Sequence, residues 1–437
     1  MSQKQPMAYI ILIAFFIHLV FLSYLNNFNV AGLPLRSFFV IFCGGLVLLQ
    51  GSSYVTDLKL LNISYALLSM LGLLVSVINQ IDNGVIFAGL FRLLQSYLVI
   101  VSGYYLLVNF GYKVIPYTVL AVAVPSAVVG ILQAMGMDFA WQIREMLGAV
   151  QNTAISHEIT EVFVNNRSRP PGLLLFAIPQ TYLLLTALAM SLFLYIRAYE
   201  RGEDTHTFLF LTTVVFVGCV SSETRSAIGA AAILILLTFW RVNFTLLAGA
   251  GIAMTMVLMG SQIYSAQLPV KTDAETRVLS FTDDSAKGRM TLYKYGTELV
   301  LQSPLGYGYG FNSKEVAPEY FSNEKNIFEY APTAKVQYLT EVHNALLNIT
   351  HIYGVIGLAI FVIFVYQLSV VRWFFTFVLV GYLLNAFFHN NGIMLGDLYF
   401  DFFISMILYY KYYVNRLIEC QPATPKVDHS LKYAVHM

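Results

Sequence analysis

Arginine and histidine are the side chains in this sequence with chemistry to offer, because what surrounds them is almost wholly apolar. Arg92 lies in GLFRLLQSY, inside a run that otherwise reads as lipid-soluble helix. An arginine there costs several kcal/mol or more unless it is paired or faces water, so it is either a functional residue or one that snorkels to the surface. NNRSRPPGLLL places Arg167 and Arg169 at the mouth of another apolar run. SSETRSAIGAAA puts Glu223 and Arg225 in a turn between two runs joined by almost no loop. Such a turn needs no arginine structurally, and the small residues after it would let helices pack closely. Arg289 follows in GRM, then a glycine-rich SPLGYGYGFN, then EVHNALLNITHIYGVIGL with Glu341, His343 and Asn344. Asn344, Asn348 and His351 fall on one face of a helix, a polar stripe that would turn to the protein interior or an aqueous cavity. A histidine at a helix mouth is commonly interfacial; beside several arginines it becomes a candidate general base.

Weaker signals count for less. GYGYG neither opens a βαβ unit nor carries the Lys-Ser/Thr of a phosphate loop, and reads as a plain turn. Asp283 and Asp284 do not have metal-site spacing. Asp397 and Asp401 are placed to pair with His389, which reads as a structural contact. The three cysteines, Cys43, Cys219 and Cys420, form neither a disulfide framework nor a zinc site.

These residues need elements to position them, and composition says which. Of 437 residues 58% are hydrophobic and 11% charged, against about 25% charged in a soluble domain. Mean hydropathy is +0.68. A soluble enzyme, a secreted disulfide scaffold, a nucleic-acid binder and a disordered chain are excluded. The reading is an all-α membrane protein of about twelve transmembrane helices: 8–25, 37–55, 63–79, 85–110, 114–135, 171–196, 207–221, 226–240, 242–260, 344–366, 373–389 and 398–414. With the N-terminus inside, the short inner segments hold eleven Lys and Arg and the short outer ones only Arg36 and Arg225. That asymmetry puts both termini in the cytoplasm.

The resulting organisation is an N-terminal bundle (1–135), an outer loop (136–170), central spans (171–260), a large outer layer (261–343), three C-terminal spans (344–414) and an inner tail (415–437). The outer layer holds 18 charged residues, eight basic and ten acidic, as a small folded unit would. Within it 286–302 has helical spacing and predicts a surface helix, stopped by Pro304.

The order Arg-Pro-Pro-Gly, S-E-T-R-S-A, G-R-x-x-x-Y…S-P-L-G-x-G and H-N-x-L-L-x-x-x-x-x-G-V-I-G-L, over about 165–366, resembles the O-antigen polymerase and O-antigen ligase superfamily of bacterial membrane glycosyltransferases. The resemblance implies glycosyl transfer at the periplasmic face of the inner membrane from an undecaprenyl-diphosphate-linked glycan, with no metal or other cofactor. Arginine suits a diphosphate leaving group, because its fork donates two hydrogen bonds and never loses its proton. Arg225 and Arg289 match the family's arginines and Arg169 matches more weakly, while Arg92 is assigned to the same diphosphate from its burial alone. His343 matches the family's histidine as the base that deprotonates the attacking hydroxyl. Glu341 would orient or replace it, and Asn344 joins the substrate-binding set. A single displacement predicts inversion. The leading expectation is a polymerase that joins lipid-linked repeat units; the alternatives are a ligase that moves glycan to lipid A-core and, further off, a lipid-linked oligosaccharide flippase. Expected partners are the lipid-linked glycans, the bilayer, a chain-length regulator and a flippase.

Overall fold

The computed structural model describes residues 5–30, 33–51, 53–151, 169–242, 284–322, 341–389 and 392–419. Among them the chain is helical apart from one two-residue hairpin, β1 (Asn29–Val30) with β2 (Leu33–Pro34). In chain order the helices are α1 (Gln5–Tyr24), α2 (Leu35–Gln50), α3 (Ser53–Thr56), α4 (Lys59–Ile78), α5 (Asn83–Phe110), α6 (Val114–Ala134), α7 (Asp138–Val150), α8 (Ala177–Arg201), α9 (His206–Ser221) and α10 (Arg225–Val242). There follow α11 (Asp284–Gln302), α12 (Ser313–Ser322), α13 (Ala345–Ser369), α14 (Trp373–Ala386) and α15 (Leu398–Leu408). The last runs through a π-helical turn, Tyr409–Val414, into α16 (Asn415–Glu419).

Apolar helices stand at eleven of the twelve expected spans, and the twelfth, 242–260, lies outside the described residues, as does most of the inner tail. Seven of them, α1, α4, α5, α6, α8, α10 and α13, are long and apolar enough for a full crossing. α2, α9 and α14 are shorter apolar helices. α2 is cut short at Gly51, and α9 is separated from α10 only by the turn that carries Glu223. The outer loop 136–170 is not all loop, since α7 folds within it and buries Ala140, Trp141, Arg144 and Gly148.

α8 is the central post, with 89% of its apolar stretch buried, and it packs on α6, α9, α10 and α15. Every residue of α15 is buried as well. Small residues allow the closest approach: Ala227, Ala230 and Ala231 of α10 are buried, and a side-chain carbon added at Gly381 of α14 would lie 3.2 Å from the Ala230 carbonyl.

The surface helix expected at 286–302 is α11, ending two residues before Pro304. Its Leu292, Tyr295 and Leu299 form a small core of their own with Ala317 and Phe321 of α12 and with Val342. Two joints tie this outer layer to the bundle. His351, in the polar stripe, is buried, with its Nε2 2.8 Å from the Gly296 carbonyl of α11.

The second joint is the glycine-rich segment, which is more than a plain turn. At Gly354 (φ 69°, ψ −173°) α13 breaks, and the freed backbone pairs with 304–308. Tyr307 and Gly308 donate N–H to the carbonyls of His351 (2.6 Å) and Ile352 (3.1 Å), and Val355 donates to Pro304 (2.9 Å). This satisfies backbone groups that a broken helix would leave bare in lipid. The backbones approach so closely that a side-chain carbon at Gly354 would lie 2.4 Å from the Leu305 carbonyl carbon, and one at Gly306 2.6 Å from the Gly354 nitrogen. Tyr309 then wedges between α4 and α5, over Gly72 and Gly89, and its N–H donates to Ser76 Oγ at 2.8 Å.

Candidate functional site

All the helix ends that matter lie at one end of the bundle: the starts of α2, α5, α8, α10, α13 and α15 and the end of α4. Several of them meet the described residues between α14 and α15, 387–389 and 392–397. Ser226, in the first turn of α10, has its Oγ 2.9 Å from both Asn385 Oδ1 and His389 Nε2. Tyr293 of α11 donates its hydroxyl to the Phe387 carbonyl at 3.1 Å. Ala345, opening α13, packs so tightly on Gly392 that a side-chain carbon there would come within 2.9 Å. Tyr182 of α8 stands edge-on to His389, ring centres 5.9 Å apart. From α5, the Arg92 stem runs against Gly396, at 3.0 Å from the place of an added carbon.

His343 is held by its neighbours on both sides. Val342 is buried and its N–H donates to Ser313 Oγ at 2.9 Å, while the Ser313 carbonyl accepts the Tyr295 hydroxyl at 2.7 Å. On the other side Asn344 is the N-cap of α13: its Oδ1 accepts from the N–H groups of Leu346 (2.9 Å) and Leu347 (3.0 Å). Its side-chain carbonyl is thus committed to the helix end. His343 is half-buried and Glu341 exposed.

Arg225 is the first residue of α10 and half-buried. A cation at a helix N-terminus costs the helix a few tenths of a kcal/mol, whereas an anion bound there meets both the guanidinium and the free N–H groups. Arg289 belongs to the first turns of α11, the helix that also supplies Tyr293 and Gly296; its side chain lies outside the described residues. Arg225, the helix of Arg289, and His343 with Glu341 are thus brought to one connection. Arg92 reaches the same connection from another side.

Arg169 is set apart. With a left-handed backbone (φ 60°), it lines a cavity of about 100 Å³ with Trp141 and Arg144 at one flank of the α8 start. Arg144 is buried and donates to the Leu175 carbonyl at 2.9 Å, and burial depresses its pKa. On the other flank Arg92 shares a larger cavity, about 440 Å³, with Arg36.

Sequence reasoning passed over three of these residues: Arg36, counted only for sidedness; Arg144, on a helix too short to register; and Ser226, whose pairing with His389 spans two helices. His389 meets Ser226, while Asp397 accepts from the Tyr382 hydroxyl and caps α15 through the Tyr399 N–H. Among the described residues no three of His, Cys, Asp and Glu stand close enough to share a metal ion.

A bundle of apolar helices, seven of them long and apolar enough to cross a membrane, with a docked helical layer, is that of a multi-pass membrane protein. Residues 208–362 match the family model described as O-Antigen ligase, so that stretch of the chain is similar to the O-antigen ligase and polymerase superfamily. Members of that family are glycosyltransferase-like enzymes acting on glycans. The match takes in Arg225, Arg289, Glu341 and His343 and both halves of the Gly354 joint; Arg92, Arg169 and Arg36 lie outside it. Comparison with curated proteins gives no significant match.

Proposed function

We propose that this protein is a polymerase that joins undecaprenyl-diphosphate-linked oligosaccharide repeat units into O-antigen or a related surface polysaccharide at the periplasmic face of the inner membrane. The observation that carries the reading is the meeting of Arg225, the Arg289 helix and the His343 mouth of α13 on one connection at one bundle end. His343 takes the proton of the acceptor hydroxyl. The oxygen attacks the carbon that bears the diphosphate, the bond from that carbon to the diphosphate oxygen breaks, and the leaving group departs with the electron pair into the field of Arg225 and Arg289. One displacement inverts the configuration at carbon and needs neither a covalent enzyme intermediate nor a metal. Glu341, two residues from His343, orients it.

The ligase reading, with lipid A-core as acceptor, uses the same donor chemistry and is favoured by the description of the matched family. Deletion of the gene separates the two. Lipid A-core carrying a single repeat unit is the expected result; long polymer stranded on its lipid carrier would make the protein a ligase. Lipopolysaccharide left unchanged with a capsule missing would change the polymer and keep the reaction.

A further inference from the structure

The cavity of about 440 Å³ that holds Arg36 and Arg92 is built wholly from residues outside 208–362. Two guanidinium-bearing side chains, Arg36 and Arg92, line it. Among the described residues neither has a carboxylate partner, and Arg36 Nε, though buried, has no hydrogen-bond partner at all. The carboxylate in the wall, Asp397, is occupied by Tyr382 and Tyr399. Gln95 is likewise committed, donating to Ser37 Oγ at 2.8 Å. Arg36, half-buried with its Nε unpartnered, and Arg92 in the same cavity offer two forked donors, which fit the oxygens of a diphosphate.

The rim says what carries that anion. Leu33 and Phe87 at the mouth are 41% and 67% exposed, Phe87 stacks on Phe91, and Arg92 is itself exposed between them. An opening edged with bare apolar side chains admits an amphiphile from the bilayer more readily than a free ion from water. The cavity also reaches the turn before α15: Arg92 rests on Gly396 and Ala345, next to the His343 mouth, on Gly392, and these glycines belong to one turn closed by Asp397 N–H to the Gly392 carbonyl at 3.3 Å.

We propose that the Arg36–Arg92 cavity binds the diphosphate head of the second lipid-linked glycan, the acceptor. This rests on the polymerase reading above, in which two such lipids must be held at once.

The test is the stoichiometry of a long-chain polyprenyl diphosphate bound to the full chain in phosphatidylcholine nanodiscs, by native mass spectrometry and titration. Two molecules are expected on the unaltered protein. Arg36→Gln with Arg92→Gln should weaken one of them about tenfold or more, and Arg225→Gln the other. In glycan transfer the same double variant should raise KM for acceptor and leave KM for donor. Arg36→Lys with Arg92→Lys keeps the charge and should keep partial binding, which guards against a variant that fails to fold. A single bound lipid lost only in Arg225→Gln would overturn the second site and leave the transferase reading standing. No bound lipid would overturn both. Equal displacement by inorganic diphosphate, or by phosphatidylglycerol, would overturn the lipid-linked acceptor in favour of a free anion or bulk lipid.

Discussion

The two ends of the bundle treat charge in opposite ways. At the end expected to face the cytoplasm, four basic residues pair with carboxylates: Arg197 with Glu200 at 3.7 Å, Arg201 and Lys113 with Glu203 at 3.6 and 3.8 Å, and Arg416 with Asp57 at 3.0 Å. Arg372 lies over the Tyr410 ring at 4.6 Å, and Lys411 donates to the Gln367 carbonyl at 3.1 Å. At the opposite end Arg36 and Arg92 share a cavity with no carboxylate partner, and Arg225 sits where a helix disfavours a cation. Matched charge is explained by the fold. Arg36 and Arg92, with no carboxylate partner among the described residues, are the pair that a bound anion would explain.

The largest effect that would sharpen this contrast is on the reaction. His343→Ala should slow glycan transfer by roughly 10² to 10⁴ while protein level and melting stay normal, and Arg225→Lys should be nearly as damaging because the charge remains but the fork is lost. Normal activity in either variant would return the site to an ordinary interface.

Next comes the joint that fixes the outer layer. Gly354→Ala forces a side chain into φ 69° and against Leu305, a strain of about 1–3 kcal/mol before any collision is counted. The variant should melt earlier and lose activity, checked by thermal denaturation in detergent. An unchanged melting point would mean that the joint is not needed.

A smaller loss is expected from Asn344→Ala, about 1 kcal/mol for a missing helix cap, with activity falling because His343 is less well held. Asn344→Asp should restore both, since it caps as well. Activity lost in Asn344→Asp with stability intact would place Asn344 in the substrate-binding set.

The smallest effect belongs to the matched end. Arg416→Ala removes a pair whose arginine is 58% exposed, so its screened contribution is at most about 0.5 kcal/mol, and transfer should not change. A strong activity defect there would break the contrast between the ends.

Much of this was legible beforehand, and the reasons are local. A run of twenty apolar residues writes its helix into the sequence, and Pro304 with a helical repeat does the same for α11. The motif around His343 was readable because its residues adjoin. What escaped was made by distant partners. SPLGYGYG acquires its role only from the carbonyls of His351 and Ile352, more than forty positions on. Arg36 becomes notable only when α5 brings Arg92 beside it, and Asn344 reads as a helix cap only once its carbonyl is found on Leu346 and Leu347. Motifs fixed which residues to watch; packing decided which touch.

The most direct test is reconstitution of the purified full chain in liposomes with a lipid-linked repeat unit, reading glycan length over time. A ladder of lengthening lipid-linked products, absent with His343→Ala, is the predicted result. Glycan that crosses the bilayer without lengthening would make the protein a transporter and contradict the account.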